Sequence, residues 1–339
     1  MAYTLKLDIY FFTLNKIIGV KERNTKEGIR IGYKTEKEDS KFCDFFNSFG
    51  CGKDENLIQT FIEDFINGFN SSFKLSKNST QAISITTDLY KKFNSKKYTI
   101  CGVFKGGQIG INREIYQSND AKKVRDTIHE DDVTSLYYFY KIWFPINSNK
   151  GILMLQSYTS LGCSALFKEQ LGEYFIERGY KVNWFRFVPK EYIAKYLRDG
   201  YLNELRIIHS KRDENMQLNP IFTPFKSATR KSVFSKFKIP LSNILSIPNY
   251  KEVLKNNIQA IDVNFNEDVD VVKLFYTCNG KSAHTTLAKI ENILPSITLD
   301  EELKDNNTQL PKWDELSSFT DNILEQIKKQ IGYTPIQLK

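Results

Sequence analysis

Three histidines, five cysteines and nine prolines in 339 residues leave little material for the commonest catalytic and metal-binding designs. His129, His209 and His284 stand far apart, without HExxH, HxH or His–Cys spacing, so no zinc-type motif is present. Cys43, Cys51, Cys101, Cys163 and Cys278 are odd in number and lack CxxC spacing, which points to buried thiols rather than a disulfide framework. Ser157 and Ser160, in QSYTSLGCS, do not form GxSxG, and no SxxK is placed as a catalytic pair. No apolar run approaches the roughly 18 residues needed to span a bilayer. Met1 to Leu14 lacks a basic start, a compact apolar stretch and a small-residue cleavage site, so a cytoplasmic location is expected. These absences predict no catalytic residue, no bound metal and no cofactor.

What is present is the material of a folded protein: 41% hydrophobic, 26% charged and 14% aromatic residues. At roughly 150 residues per domain, the length suggests two domains. The sequence pattern predicts an α+β fold of mostly antiparallel sheets with packed helices in two lobes, residues 1–145 and 146–339. Leu5, Leu7, Ile9 and Phe11 alternate with Lys6, Asp8 and Tyr10, the period of a half-buried strand. A further strand is expected at 28–34. Leu57, Ile58, Phe61, Ile62, Phe65, Ile66 and Phe69 recur at three- and four-residue steps, which predicts a helix over 55–70.

Residues 97–116 read as two strands turning at Lys105-Gly106-Gly107-Gln108, since adjacent glycines supply the positive φ of a tight turn. GVFKGGQIG lacks the closing Gly-Lys-Ser/Thr of a phosphate loop. Ser118 to Arg125 reads as a short helix, and His129-Glu130-Asp131-Asp132 as a solvated acidic turn. Residues 151–158 form an apolar run typical of a buried strand, a helix follows over 161–178, and 182–188, 190–197 and 201–209 read as strand, helix and strand. Asn279-Gly280 lies between 270–277 and 281–288, a hairpin signal. A last helix carries Leu316, Phe319, Ile323, Ile327 and Ile331 on one face, with Lys328 and Lys329 at its end.

The net charge of +8 is unevenly spread. Residues 181–256 hold 15 Lys and Arg against 6 Asp and Glu, whereas 257–339 hold 8 against 13. Within the segment 206–238, Lys211, Arg212, Lys226, Arg230, Lys231, Lys236 and Lys238 are interleaved with Phe222, Phe225, Phe234 and Phe237. Cations in this density neutralise phosphates and release counterions without reading base sequence, so these seven are the candidate nucleic-acid contacts. The phenylalanines suit either stacking on unpaired bases or anchoring in a core.

Two other readings stand beside this one. Asp262, Glu267, Asp268, Asp270 and Lys273 could form the carboxylate and lysine set of a metal-dependent nuclease. The aromatic cluster from Tyr137 to Phe144, with the acidic C-terminal third, could serve a non-catalytic protein-interaction module. The opposite charges of 181–256 and 257–339 also suggest that the acidic loop 299–315 restrains the basic segment.

The hairpin LFYTCNGKSAHTTLAKI (274–290), the closing helix TDNILEQIKKQIG (320–332) and the basic stretch RKSVFSKFKIPLSNIL (230–245) resemble the end of the RexA-like abortive-infection proteins, a phage-exclusion family of which phage lambda carries the type member. GGQIGINREIY (106–116) is compatible with that pattern. The resemblance covers about a third of the chain. It implies a cytoplasmic, non-enzymatic, two-domain protein that forms a homodimer, binds DNA with little sequence preference and acts in anti-phage defence through a membrane or effector partner.

Overall fold

The structure is a computed structural model and describes residues 3–23, 32–51, 54–67, 72–94, 97–159, 161–196, 200–209, 230–235, 237–245, 250–263, 265, 270–278, 281–294 and 296–333. The chain forms an α+β fold in two compact units, Met1–Phe187 with Ser296–Lys339, and Val188–Pro295. Among the described residues, no helix is long and apolar enough to cross a membrane.

Unit 1 opens with the antiparallel pair β1 (Leu5–Arg23) and β2 (Gly32–Asp39), then α1 (Phe42–Ser48) and α2 (Glu55–Asn67). It continues through β3 (Lys74–Leu75), β4 (Gln81–Asn94), β5 (Thr99–Gln108), β6 (Arg113–Gln117), β7 (Asp120–Ile128), β8 (Thr134–Trp143), β9 (Lys150–Tyr158), α3 (Ser164–Ile176) and β10 (Tyr180–Phe187). Unit 2 contains α4 (Lys190–Tyr196), β11 (Tyr201–His209), β12 (Arg230–Phe234), β13 (Ile239–Pro240), α5 (Leu241–Leu245), α6 (Tyr250–Ile261), β14 (Val271–Cys278), β15 (Lys281–Thr286) and a 3-10 segment, Leu287–Ile293. The chain then returns to unit 1 as β16 (Ile297–Thr298) and α7 (Trp313–Gln330).

The main sheet of unit 1 runs β10-β1-β9-β8-β5-β4-β3, with β2 and β16 also paired to β1. Every pairing is antiparallel. Its central strands carry apolar residues on both faces because both are covered. On one face Phe12 meets Phe42 of α1 edge-on at 5.7 Å, and Tyr140 and Phe104 lie against Phe167 of α3 at 5.4 and 4.9 Å. The other face receives α7, whose Leu316, Ile323, Leu324 and Ile327 are buried. Asp314 and Glu315 in its first turn and Lys328 and Lys329 in its last suit the helix dipole. Lys141 of β8 is buried beneath this helix, its Nζ donating to the Ser317 carbonyl at 2.7 Å and to Asp321 Oδ1 at 2.8 Å. A buried cation held at two points fixes where the helix sits along the sheet.

Several expectations are corrected here. The expected boundary at 145/146 falls between β8 and β9, which pair from Tyr140↔Leu155 to Trp143↔Ile152. Pro145 and the polar residues after it close a turn, with Ser148 N donating to the Pro145 carbonyl; local composition does not distinguish that from a linker. The cluster Tyr137 to Phe144 is no docking surface. Tyr138, Phe139, Tyr140, Trp143 and Phe144 are all at most 5% exposed and build the core. Ser118 to Arg125 forms no helix: residues from Asp120 onward make β7, paired with β6. Asp120 Oδ1 accepts from Lys122 N and Lys123 N, a local bond that imitates a helix cap, but the cross-strand ladder prevails.

Gly106 and Gly107 lie inside β5 rather than at a turn. A Cβ on Gly107 would stand 1.8 Å from the Thr134 carbonyl oxygen of the next strand, so the glycine is required for close approach. The positive φ is found instead at Gly110, in the loop after β5. Gly107→Ala is expected to destabilise the fold by about 1–3 kcal/mol or more, read as a lower Tm; an unchanged Tm would show that β5 and β8 can separate freely.

The basic segment and the acidic loop 299–315 belong to different units, the first to unit 2 and the second to unit 1. Lys304, within that loop, is buried and donates to the Tyr3 carbonyl at 3.2 Å.

Candidate nucleic-acid interface

The sheet of unit 2 runs β12-β11-β14-β15, with β13 beside β11. Successive side chains on a strand point to opposite faces, so register divides the residues into two sets. Leu202, Leu205, Ile207 and His209 of β11 share a face with Val272 and Leu274 of β14, and all six are buried. This inner face meets the helices. Leu241, Ile244 and Leu245 of α5, Ile258 of α6 and Leu287, Ile290 and Ile293 of the 3-10 segment are buried as well.

The outer face has a different chemistry. A bulge at Asn203 brings Tyr201 opposite Thr277 and Glu204 opposite Phe275, while Arg206 pairs with Lys273 and with Val233 of β12. Phe275 in turn lies opposite His284 of β15. The outer set therefore includes Tyr201, Glu204, Arg206, Ile208, Lys273, Phe275, Thr277, Ser282 and His284, and Val233 and Val271 on the same face are 49% and 40% exposed. The Arg206 guanidinium lies 4.1 Å from the Phe275 ring centroid, and the Lys238 ammonium 3.9 Å from that of Tyr201. Glu204 is the acidic exception and forms an ion pair with Arg206. Cations set on aromatic faces across an open sheet can meet both parts of a nucleic acid, phosphate and base.

Of the seven candidate contacts, Lys211, Arg212, Lys226 and Lys236 lie outside the described residues, as do Phe222 and Phe225. Arg230 and Lys231 belong to β12, paired with His209 and Ile208 respectively. Lys238 is exposed just before β13. Tyr201, Phe275 and His284 were not anticipated as site residues. Their signal was the parity of the strand pattern, which becomes a face only when the register between strands is known.

Beneath this face Asp262 and Asp270 of the nuclease set meet at His209. His209 receives Asp270 Oδ2 at Nδ1, 3.1 Å away, and Asp262 Oδ2 at Nε2, 3.0 Å away; Ser232 Oγ also lies 3.3 Å from Nε2. The side chains of His209, Asp262 and Asp270 are 8%, 10% and 1% exposed. Asp270 and Lys273 are three residues apart and point to opposite faces of the sheet, which separates the acid from the lysine. Glu267 and Asp268 lie outside the described residues. Among the described residues no group of three His, Cys, Asp or Glu side chains has metal-holding geometry. The trio instead joins the end of α6 to β11 and the start of β14, and so braces the sheet from below.

No protein-family model, curated protein or solved structure matches this chain. The functional reading therefore rests on the residues. His129 lies in the expected acidic turn, its backbone N–H donating to Asp132 Oδ2 at 2.8 Å, with Glu130, Asp131 and Asp132 exposed.

Proposed function

We propose that this protein binds nucleic acid through its phosphate backbone, without sequence preference, using the outer face of the unit 2 sheet. The observation that carries this reading is the gathering of Arg206, Lys273 and Lys238 beside Tyr201 and Phe275 on one face or its border. The excess of 15 basic over 6 acidic residues in 181–256 supplies a favourable field around it. The resemblance of 230–245, 274–290 and 320–332 to RexA-like proteins supports placing that binding in cytoplasmic anti-phage exclusion, as a dimer acting through an effector partner.

The test is a binding titration with duplex DNA over a range of salt. Affinity is expected to fall steeply, by about a hundredfold between about 50 and 200 mM salt for four phosphate contacts. Changing Arg206, Lys231, Lys238 and Lys273 to glutamine should flatten the slope of log affinity against log salt by about 0.9 per lost contact. Salt-independent binding, or a slope unmoved by the four substitutions, would remove this face from the reading. Glu204→Gln is expected to tighten binding, since it deletes the acidic group that pairs with Arg206.

A further inference from the structure

On the outer face of unit 2, two rings and a guanidinium form a single stack. The strand order β11-β14-β15 sets Arg206 and His284 on opposite sides of Phe275. Arg206 covers the Phe275 ring from the β11 side at 4.1 Å. His284 stacks on it from the β15 side, with centroids 5.4 Å apart and planes inclined by 28°. Phe275 is thus covered on both sides and half-buried, whereas His284 is exposed and terminates the stack. Among the described residues β15 has β14 as its single strand partner, so the stack ends at a sheet edge.

We infer that His284 is a base-stacking platform and that the preferred ligand is single-stranded nucleic acid, an inference that rests on the proposed nucleic-acid binding. A planar base laid on the side of the exposed imidazole turned away from Phe275 continues the series guanidinium, phenyl, imidazole. The same base inside a duplex has both faces covered by its neighbours and cannot reach the ring without unstacking. Arg206 and Lys273, one residue pair along the strands from Phe275, are placed for the adjoining phosphates. The charge fits this occupant, because Glu204 is the one acidic side chain in the outer set and Arg206 already pairs with it. Ser282 and Thr277, whose hydroxyls lie 3.3 Å apart on the next row of the same face, give base edges polar partners. A cation held on Phe275 also polarises the stack, so the platform is assembled before any ligand arrives.

The test uses the full chain, a fluorescent single-stranded deoxyoligonucleotide, the duplex formed with its complement, and a single strand carrying abasic sites. Wild type is expected to bind the single strand at least about tenfold more tightly than the duplex, and to lose that advantage on the abasic strand. His284→Ala, at an exposed edge position, should weaken single-strand binding by roughly 5- to 150-fold, the value of one stacked base. It should leave the salt slope and the duplex affinity unchanged, because no phosphate contact is lost. His284→Phe, which restores a flat ring, should rescue the single-strand affinity. Equal affinity for single strand and duplex, or a His284→Ala variant that binds the single strand as wild type does, would overturn the platform while leaving backbone binding in place. A folded wild type that binds none of the three probes would overturn both.

Discussion

His209→Leu is expected to lower the stability of the protein by about 1–3 kcal/mol, the cost of removing a buried side chain that hydrogen-bonds at both ring nitrogens. The expected observation is a lower denaturant midpoint with an unchanged slope. The size of the effect follows from where the ring sits. Its two nitrogens face carboxylates that are 10% and 1% exposed, and leucine would leave those carboxylates opposed across an apolar side chain. Asp262→Asn keeps one carboxylate on the ring and an amide in place of the other, so it should cost a smaller part of the same amount. Because Asp262, His209 and Asp270 join α6, β11 and β14, the double variant should lose less than the sum of the single changes. A His209→Leu midpoint equal to that of wild type would mean that the trio contributes nothing to the brace beneath the outer face.

The second large effect is expected at alkaline pH. Burial raises the Tyr10 phenol from its ordinary 10.0 to about 12, and that of Tyr90 to about 12. Tyr138, Tyr140, Tyr158 and Tyr174 are pushed higher still, again by desolvation. The Cys163 thiol rises from 9.0 to about 11 and that of Cys101 also rises, both from burial. An acid whose pKa is higher in the folded chain keeps a proton that the unfolded chain has released, so the folded state is penalised between the two values. Stability should therefore hold below about pH 9 and fall progressively towards pH 12.

Lys141 acts in the opposite sense. Burial lowers the pKa of its amine, with Asp321 opposing, so between its folded value and 10.5 the unfolded chain binds the extra proton and stability rises with pH. One lysine does not offset six phenols and two thiols. Phenolate absorbance followed together with circular dichroism checks this: a group of the 18 tyrosines should ionise only as the fold is lost. If all of them titrated at the ordinary value while the dichroism stayed native, the burial argument would fail.

Much of the fold was legible because secondary structure has short periods. The alternation of Leu5, Leu7 and Ile9 located β1, the spacing of Ile58 and Ile66 located α2, and the sequence patterns at 151–158, at 201–209 and from Leu316 to Ile331 correspond to β9, β11 and α7. Failures arose where one residue type serves two geometries. Gly106-Gly107 fits a turn or a close strand approach, and only the presence of Thr134 on the adjacent strand decides between them. Tyr137 to Phe144 fits a docking patch or a core strand, and the two covering layers decide that. Asp270 and Lys273 look like partners along the chain, yet the pleat directs them apart.

The candidate site divides along the same line. The excess of lysine and arginine in 181–256 is a property of composition, and no fold is needed to see it. Alternation along β11 and β14 is likewise local, since steric repulsion between neighbouring residues sets the period of two. Which residues stand together across strands was decided by the tertiary structure alone. Register aligns Arg206 with Lys273 and Phe275 with His284, and a one-residue slip would turn each of them to the opposite face. The His209 trio joins positions 53 and 61 residues apart, a separation at which no local periodicity carries information. The sequence by itself determined the strands, the amphipathic helices and the basic charge; the long-range pairing of those strands decided which cations and rings share a surface, because that pairing depends on the free energy of the whole packed sheet rather than on any one segment.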